Sequence, residues 1–251
     1  MIKMSIHRLA RKLFRLFNKL LKKFGFVLSK PDFVHGSPAF SGALVLSRRM
    51  FQTKQFLDEI SDVEGDIFEG GIHWGYGLTI ELLLSEKKIY AFDSFEGHSK
   101  PTNYDKKSKN WKPFDSSFAV TKNDAIKTIL LGTNLSIEEV NNRITFYEGW
   151  VNETTPKWKS EMIAGQKKLA YVHADMDIYE PIKCILMETY QFLSPGAIVC
   201  VGMLDNPELA GKTRAFEEFL ESIDQTEIEI KTRNLINTKG VEASQTYFVR
   251  K

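Results

Sequence analysis

Cysteine is scarce in this chain. Cys184 and Cys200 are the two present among 251 residues, which makes no redox pair or metal-ligand motif. Nothing in that usage points to an oxidising compartment, and Cys200, inside the apolar run at 198–201, reads as a small core residue. Charges recur through the first 30 residues, so no uninterrupted apolar stretch forms there. Neither a bilayer span, which needs about 20 apolar residues, nor a secretory signal is expected. Acids are absent from the same 30 residues, which hold nine Lys and Arg. The formal charge of +2 therefore hides an acidic body, with 25 basic and 32 acidic side chains in the remainder. Such a body does not suit nucleic acid. Internal repeats and interior linkers are missing as well. With 43% hydrophobic and 26% charged residues, the chain can bury a sizeable core, as one large domain or two small ones.

The basic segment is amphipathic. On a helical wheel Ile6, Leu9, Leu13, Leu16, Phe17, Leu20 and Phe24 share one face. Arg8, Arg11, Lys12, Arg15, Lys19, Lys22 and Lys23 occupy the other. A cationic helix over residues 6–24 can lie on an anionic membrane surface. It can equally dock on the domain or on a second copy in a homo-oligomer. The expected location is cytoplasmic, peripheral to the inner membrane surface if the helix binds lipid.

The most informative stretch is DIFEGGIHWGYG at 66–77, with YAFDSFEG close behind at 90–97. An apolar strand reaches an acid, Glu69, and Gly70, Gly71, Gly75 and Gly77 follow in a loop before an apolar helix at 78–84. A second strand, at 88–92, ends in Asp93. Glycines after a first strand let backbone approach a ligand, and an acid ending the second strand can accept both hydroxyls of a ribose. A pyrophosphate cradle would need G-x-G-x-x-G, and its absence disfavours a nicotinamide dinucleotide dehydrogenase. The spacing E-G-G-x-x-x-G-x-G suits an adenosine ligand without phosphates, and S-adenosylmethionine is the natural candidate. A glycine-rich turn with no ligand is the rival reading.

Strand and helix alternate through the rest. Helices are expected at 43–60, 122–131, after a cap at Ser136, at 179–193 and at 214–223. Strands are expected at 144–149, 169–175, 197–201, 227–232 and 246–249, with a turn after 149, another at 194–196 and a loop at 100–117. This rhythm predicts an α/β fold, a doubly wound, mostly parallel sheet with one of the last two strands antiparallel. Two of these strand ends carry residues that packing does not explain. Gly149 and Trp150 end the third strand, where the indole can cover an adenine ring or join the core. Asp175 and Asp177 end the fourth, in HADMDIYEP. Acids leaving an apolar strand must meet an ion, a proton-transfer role or solvent; Asp177 alternatively caps the next helix. His173 reads as a satisfied core histidine.

With these pieces in this order, the chain resembles the TylF/MycF-type sugar O-methyltransferases of macrolide and aminocoumarin biosynthesis. The resemblance rests on GDIFEGGIHWGYG, YAFDSFEG, ITFYEGWVNETTP, YVHADMDIYEP, FLSPGAIVCV and PELAGKTRAFEEF, and runs from about residue 64 to the C-terminus. It implies a class I methyltransferase (Rossmann-like) sheet of seven strands at 31–251, behind the basic helix at 1–30. It implies S-adenosylmethionine as donor, held by Glu69, Gly70, Gly71, Gly75, Asp93, Ser94, Gly149, Trp150 and Asp175. It implies a sugar or glycan hydroxyl as acceptor, with Asp175 as the catalytic carboxylate. A magnesium ion normally completes such a site, and Asp175 matches its first ligand. Here the chain departs. The acid pair expected after the fifth strand is Gly202 and Met203, and the nearest acid is Asp205, followed by Asn206. Magnesium wants near-octahedral oxygen ligation, so Asp175 with Asp205 makes a poor ligand set. Tyr76 and Gly77 also replace a Gly and a Ser usual in relatives. A non-catalytic member that binds donor or a partner at a membrane surface is the alternative.

Overall fold

The structure, a computed structural model, describes residues 50–105, 120–204, 206–236 and 242–251. The basic helix at 6–24, the boundary at residue 30, the start of the helix at 43–60, most of the loop at 100–117 and Asp205 lie outside the described residues. Those described belong to one compact unit, Arg48–Lys251.

A helix at residues 50–59, α1, leads into strand β1 (Asp66–Gly70), helix α2 (Tyr76–Leu84) and strand β2 (Ile89–Asp93). Next come α3 (Lys122–Thr133), α4 (Ile137–Arg143), β3 (Ile144–Glu148), α5 (Val151–Ala164) and β4 (Leu169–Ala174). The chain then forms α6 (Tyr179–Thr189), β5 (Leu193–Gly202), α7 (Ala210–Ser222), β6 (Ile228–Ile236) and β7 (Glu242–Arg250). The seven strands lie in the order β3-β2-β1-β4-β5-β7-β6, parallel except β7, which runs antiparallel to β5 and β6. The strand order reverses between β1 and β4. In open α/β sheets a ligand crevice forms at such a point, outside the carboxyl ends.

Side-chain alternation builds the two cores. Along β5, Ala197, Val199 and Val201 face one cluster, and Ile198 and Cys200 the other. On the first face Trp158 stands edge-on to Phe68, Phe92 and Phe192. Fully burying one such ring is worth about 1.5–3 kcal/mol. On the second face α1, α2 and α3 supply Phe56, Leu78 and Ile129.

Two local expectations fail. The stretch after Gly149 is not merely a turn but continues into the 14-residue α5, with Pro156 inside it. Val151, Thr155, Trp158 and Met162 recur at helical spacing and are buried, so packing overrides the poor propensities of Thr and Pro. Likewise Ser194, Pro195 and Gly196 lie within β5 rather than before it. Leu193 already pairs with Leu169, and the register shifts beyond them to admit the extra residues.

Candidate active site

The glycine loop is fixed by close approach. Gly71 has φ +96°, and a Cβ there would meet the backbone oxygen of Asp175 at 2.3 Å. The amides of Gly71 and Asp175 donate to Phe92 O and Gly70 O, both at 2.9 Å, tying the ends of β1, β2 and β4 together. Gly75 caps α2 in the left-handed region, against Ala125 O. A Cβ on Gly77 would stand 2.6 Å from Oε1 of Glu69, so that carboxylate lies against the first turn of α2, where the helix dipole favours negative charge.

Glu69 is 2% exposed and pairs with Nδ1 of His173 at 2.8 Å. His173 is thus satisfied by a carboxylate on the neighbouring strand. Glu81 of α2 completes the cluster; the ligand atoms of the three lie within 4.8 Å of one another. Burial, then the charge of Glu69, pushes the Glu81 carboxyl well above its ordinary value, which favours its neutral form beside the Glu69 carboxylate.

Asp93 works as a clasp. One oxygen accepts from the amides of Ile72 (2.8 Å) and His73 (2.9 Å), the other from that of Phe95 at 2.8 Å. A carboxylate offers about four lone-pair sites, so backbone amides occupy three of them in this structure. Ser94 accepts from Glu96 and donates to Gly97 O, shaping the turn. The Gly149 amide donates to Asp93 O, and its φ of +132° aims the chain into α5.

These elements enclose a cleft of about 700 Å³, well within the range of ligand sites. Glu69, Gly71, Asp93, Ser94, Trp150 and Asp175 line it, whereas Gly70, Gly75 and Gly149 are not among the lining residues. Trp150 faces the cleft from the N-cap position of α5, while Trp158 fills the core. Asp177 does not cap α6, whose N-cap is Ile178 without a side-chain cap. Instead Asp177 lines the cleft and meets Nε2 of His98 at 3.4 Å. The amide of Tyr179 on α6 is met from 74 residues away by Asp105 at 3.0 Å. Sequence reasoning missed His98; its place directly after the FDSFEG motif was the available signal.

An adenosine-type donor fits this cradle: the loop backbone is bare of side chains where it approaches β4, and a carboxylate stands at each of three strand ends. Among the described residues, the end of β5 offers magnesium no carboxylate. Gly202 offers no side chain, and Met203 lines the cleft with a thioether, a poor partner for a hard cation. A buried ammonium, that of Lys212, lies 3.2 Å from where a Gly202 Cβ would be.

The macrocin-O-methyltransferase (TylF) family model matches residues 12–232. Among solved structures, CalS11, a calicheamicin methyltransferase, superposes with a TM-score of 0.64 at 21% identity, covering 90% of this chain and 97% of its own. The O-methyltransferase NovP does so at 0.55 and 17%, covering 81% and 79%. TomG from Streptomyces achromogenes, an O-methyltransferase of tomaymycin synthesis solved with S-adenosylmethionine, gives 0.54 and 16%, covering 88% and 92%. No curated protein matches the chain. At these identities the structures establish the class I methyltransferase fold, and the family match does the rest: the chain belongs to the macrocin O-methyltransferase (TylF) family of S-adenosylmethionine-dependent O-methyltransferases.

Proposed function

We propose that the cleft passes a methyl group from S-adenosylmethionine to a hydroxyl of a sugar or glycosylated small molecule. The observation that carries this reading is the convergence of Glu69, Asp93 and Asp175, from three strands, on one cleft beside a glycine loop. Bound there, S-adenosylmethionine supplies an electrophilic methyl group on a sulfonium centre. Asp93 would accept a ribose hydroxyl through its remaining lone pair. Glu69, Gly71, Gly75 and Ser94 would shape the donor pocket, and Trp150 would cover a flat ring. Asp175 would take the proton of the acceptor hydroxyl or orient it, and the main catalytic contribution is positioning in line. For the acceptor, exposed Trp74 (42%) and Tyr76 (40%) at the rim offer apolar faces, and Asp177 and Glu180 offer acceptors for hydroxyls. A structure of CalS11 is described as a TDP-rhamnose 3'-O-methyltransferase, which makes TDP-rhamnose the first acceptor to assay. The purified full chain, given S-adenosylmethionine and a panel of nucleotide sugars and glycosides, should form S-adenosylhomocysteine with at least one. Donor binding without turnover on any of them would overturn the sugar reading.

A second reading concerns residues 1–30, which we infer to be a separate basic helix serving the domain at 31–251. Seven Lys and Arg on one face contribute about 1 kcal/mol each near an anionic surface before screening. Charges recur through this segment, so attachment would be peripheral. The full chain should co-sediment with phosphatidylserine vesicles at low salt and detach at high salt. If it ignores them, while deletion of residues 1–30 breaks an oligomer, the helix is a protein contact instead.

A further inference from the structure

A buried lysine of α7 lies beside the end of β5. Pairing of β5 with β7 becomes irregular between Cys200 and Gly202, and Gly202 takes a φ of +89°. The chain bends there, and a side chain at 202 would point at Lys212 on α7, whose Nζ stands 3.2 Å from the Cβ position. Lys212 is 2% exposed, a rare state for lysine, which is almost never fully buried unless paired. In the sheet, His173, two residues before Asp175, lies directly opposite Cys200, two residues before Gly202. The ammonium and the Asp175 carboxylate therefore act on the same corner, at the adjoining ends of β4 and β5.

We propose that Lys212 is a positioning residue that takes the place of a divalent cation: its ammonium supplies the positive charge facing Asp175, and methyl transfer proceeds without a bound metal. The inference rests on the methyl-transfer reading of the cleft. An ammonium at this spot also repels any divalent ion approaching Asp175, and the repulsion is strong because the surroundings are largely desolvated. Gly202 leaves room for the lysine head, and Met203 adds no anion.

The full chain is titrated with manganese, followed by water-proton relaxation, and separately with S-adenosylhomocysteine by calorimetry. The wild type should bind S-adenosylhomocysteine equally with EDTA or with magnesium, and should hold no manganese below roughly millimolar concentration. Met203→Asp, a change at an exposed position, should still reject manganese while Lys212 remains. Adding Lys212→Gln to Met203→Asp should tighten manganese binding at least about tenfold, whereas Lys212→Arg should behave as wild type. Tight manganese binding by the wild type or by Met203→Asp overturns the proposal, and so does a folded double variant with no gain. If the double variant does not fold, the Met203→Asp result decides. Failure of S-adenosylhomocysteine to bind at all would instead sink the methyl-transfer reading, whatever the metal result.

Discussion

At Asp93 three backbone amides already meet the carboxylate, so Asp93→Ala removes the clasp of the glycine loop together with a donor contact. S-adenosylhomocysteine binding should weaken by about 1.5–3 kcal/mol, the range for hydrogen bonds to a charged group; unchanged affinity by calorimetry would show that Asp93 does not serve the donor. Glu81 makes a pH-dependent statement. Its folded value lies well above the ordinary 4.5 because of burial and Glu69, so the folded state binds this proton more tightly than the unfolded chain. The resulting stability is complete below about 4.5 and is lost as pH rises through the folded value. Glu81→Gln keeps the shape and removes the proton, so its thermal midpoint should fall less between acidic and mildly alkaline pH than that of the wild type. Parallel curves for the two proteins would mean that Glu81 does not hold the proton. Neither behaviour is legible in the sequence: Glu81 reads as an ordinary helix acid until the fold buries it against Glu69 and His173.

Among the elements, α4 is written almost entirely in its own residues. Ser136 accepts from the Glu139 amide, and the Glu139 side chain reaches back to the Ser136 amide, a reciprocal cap recognisable from spacing. The start of α6 is the opposite case. Its amide at Tyr179 depends on Asp105, which also accepts from the amide and hydroxyl of Thr102. The contact requires Gly211 in α7, where a Cβ would stand 1.8 Å from the Asp105 carboxylate. Asp105→Ala should cost about 1–3 kcal/mol in chemical denaturation, since it leaves buried donors unmet. A loss within error would show that the helix is capped by other means. Helix α5 was hidden for a related reason. Pro156 and two threonines argue against a helix locally, and only the buried stripe through Trp158 outweighs them.

In the whole molecule, the glycine loop, the acids at 69, 93 and 175 and the strand–helix rhythm were legible because each is a local device. Glycine at a left-handed turn, an acid at a strand end and apolar periodicity act over a few residues, and they determined the fold class, the donor and the cleft edge on which the site lies. Tertiary structure decided what depends on residues far apart in the chain. It turned Asp177 from a cap into a cleft residue facing His98, 79 positions away, and gave Asp93 three backbone partners besides any ligand. It also brought Lys212 of α7 to the gap left by Gly202. The sequence showed the missing acids there but not the cation, because the pairing of a strand end with a helix ten residues later is set by the bend at Gly202 and the packing of α7, not by any local pattern.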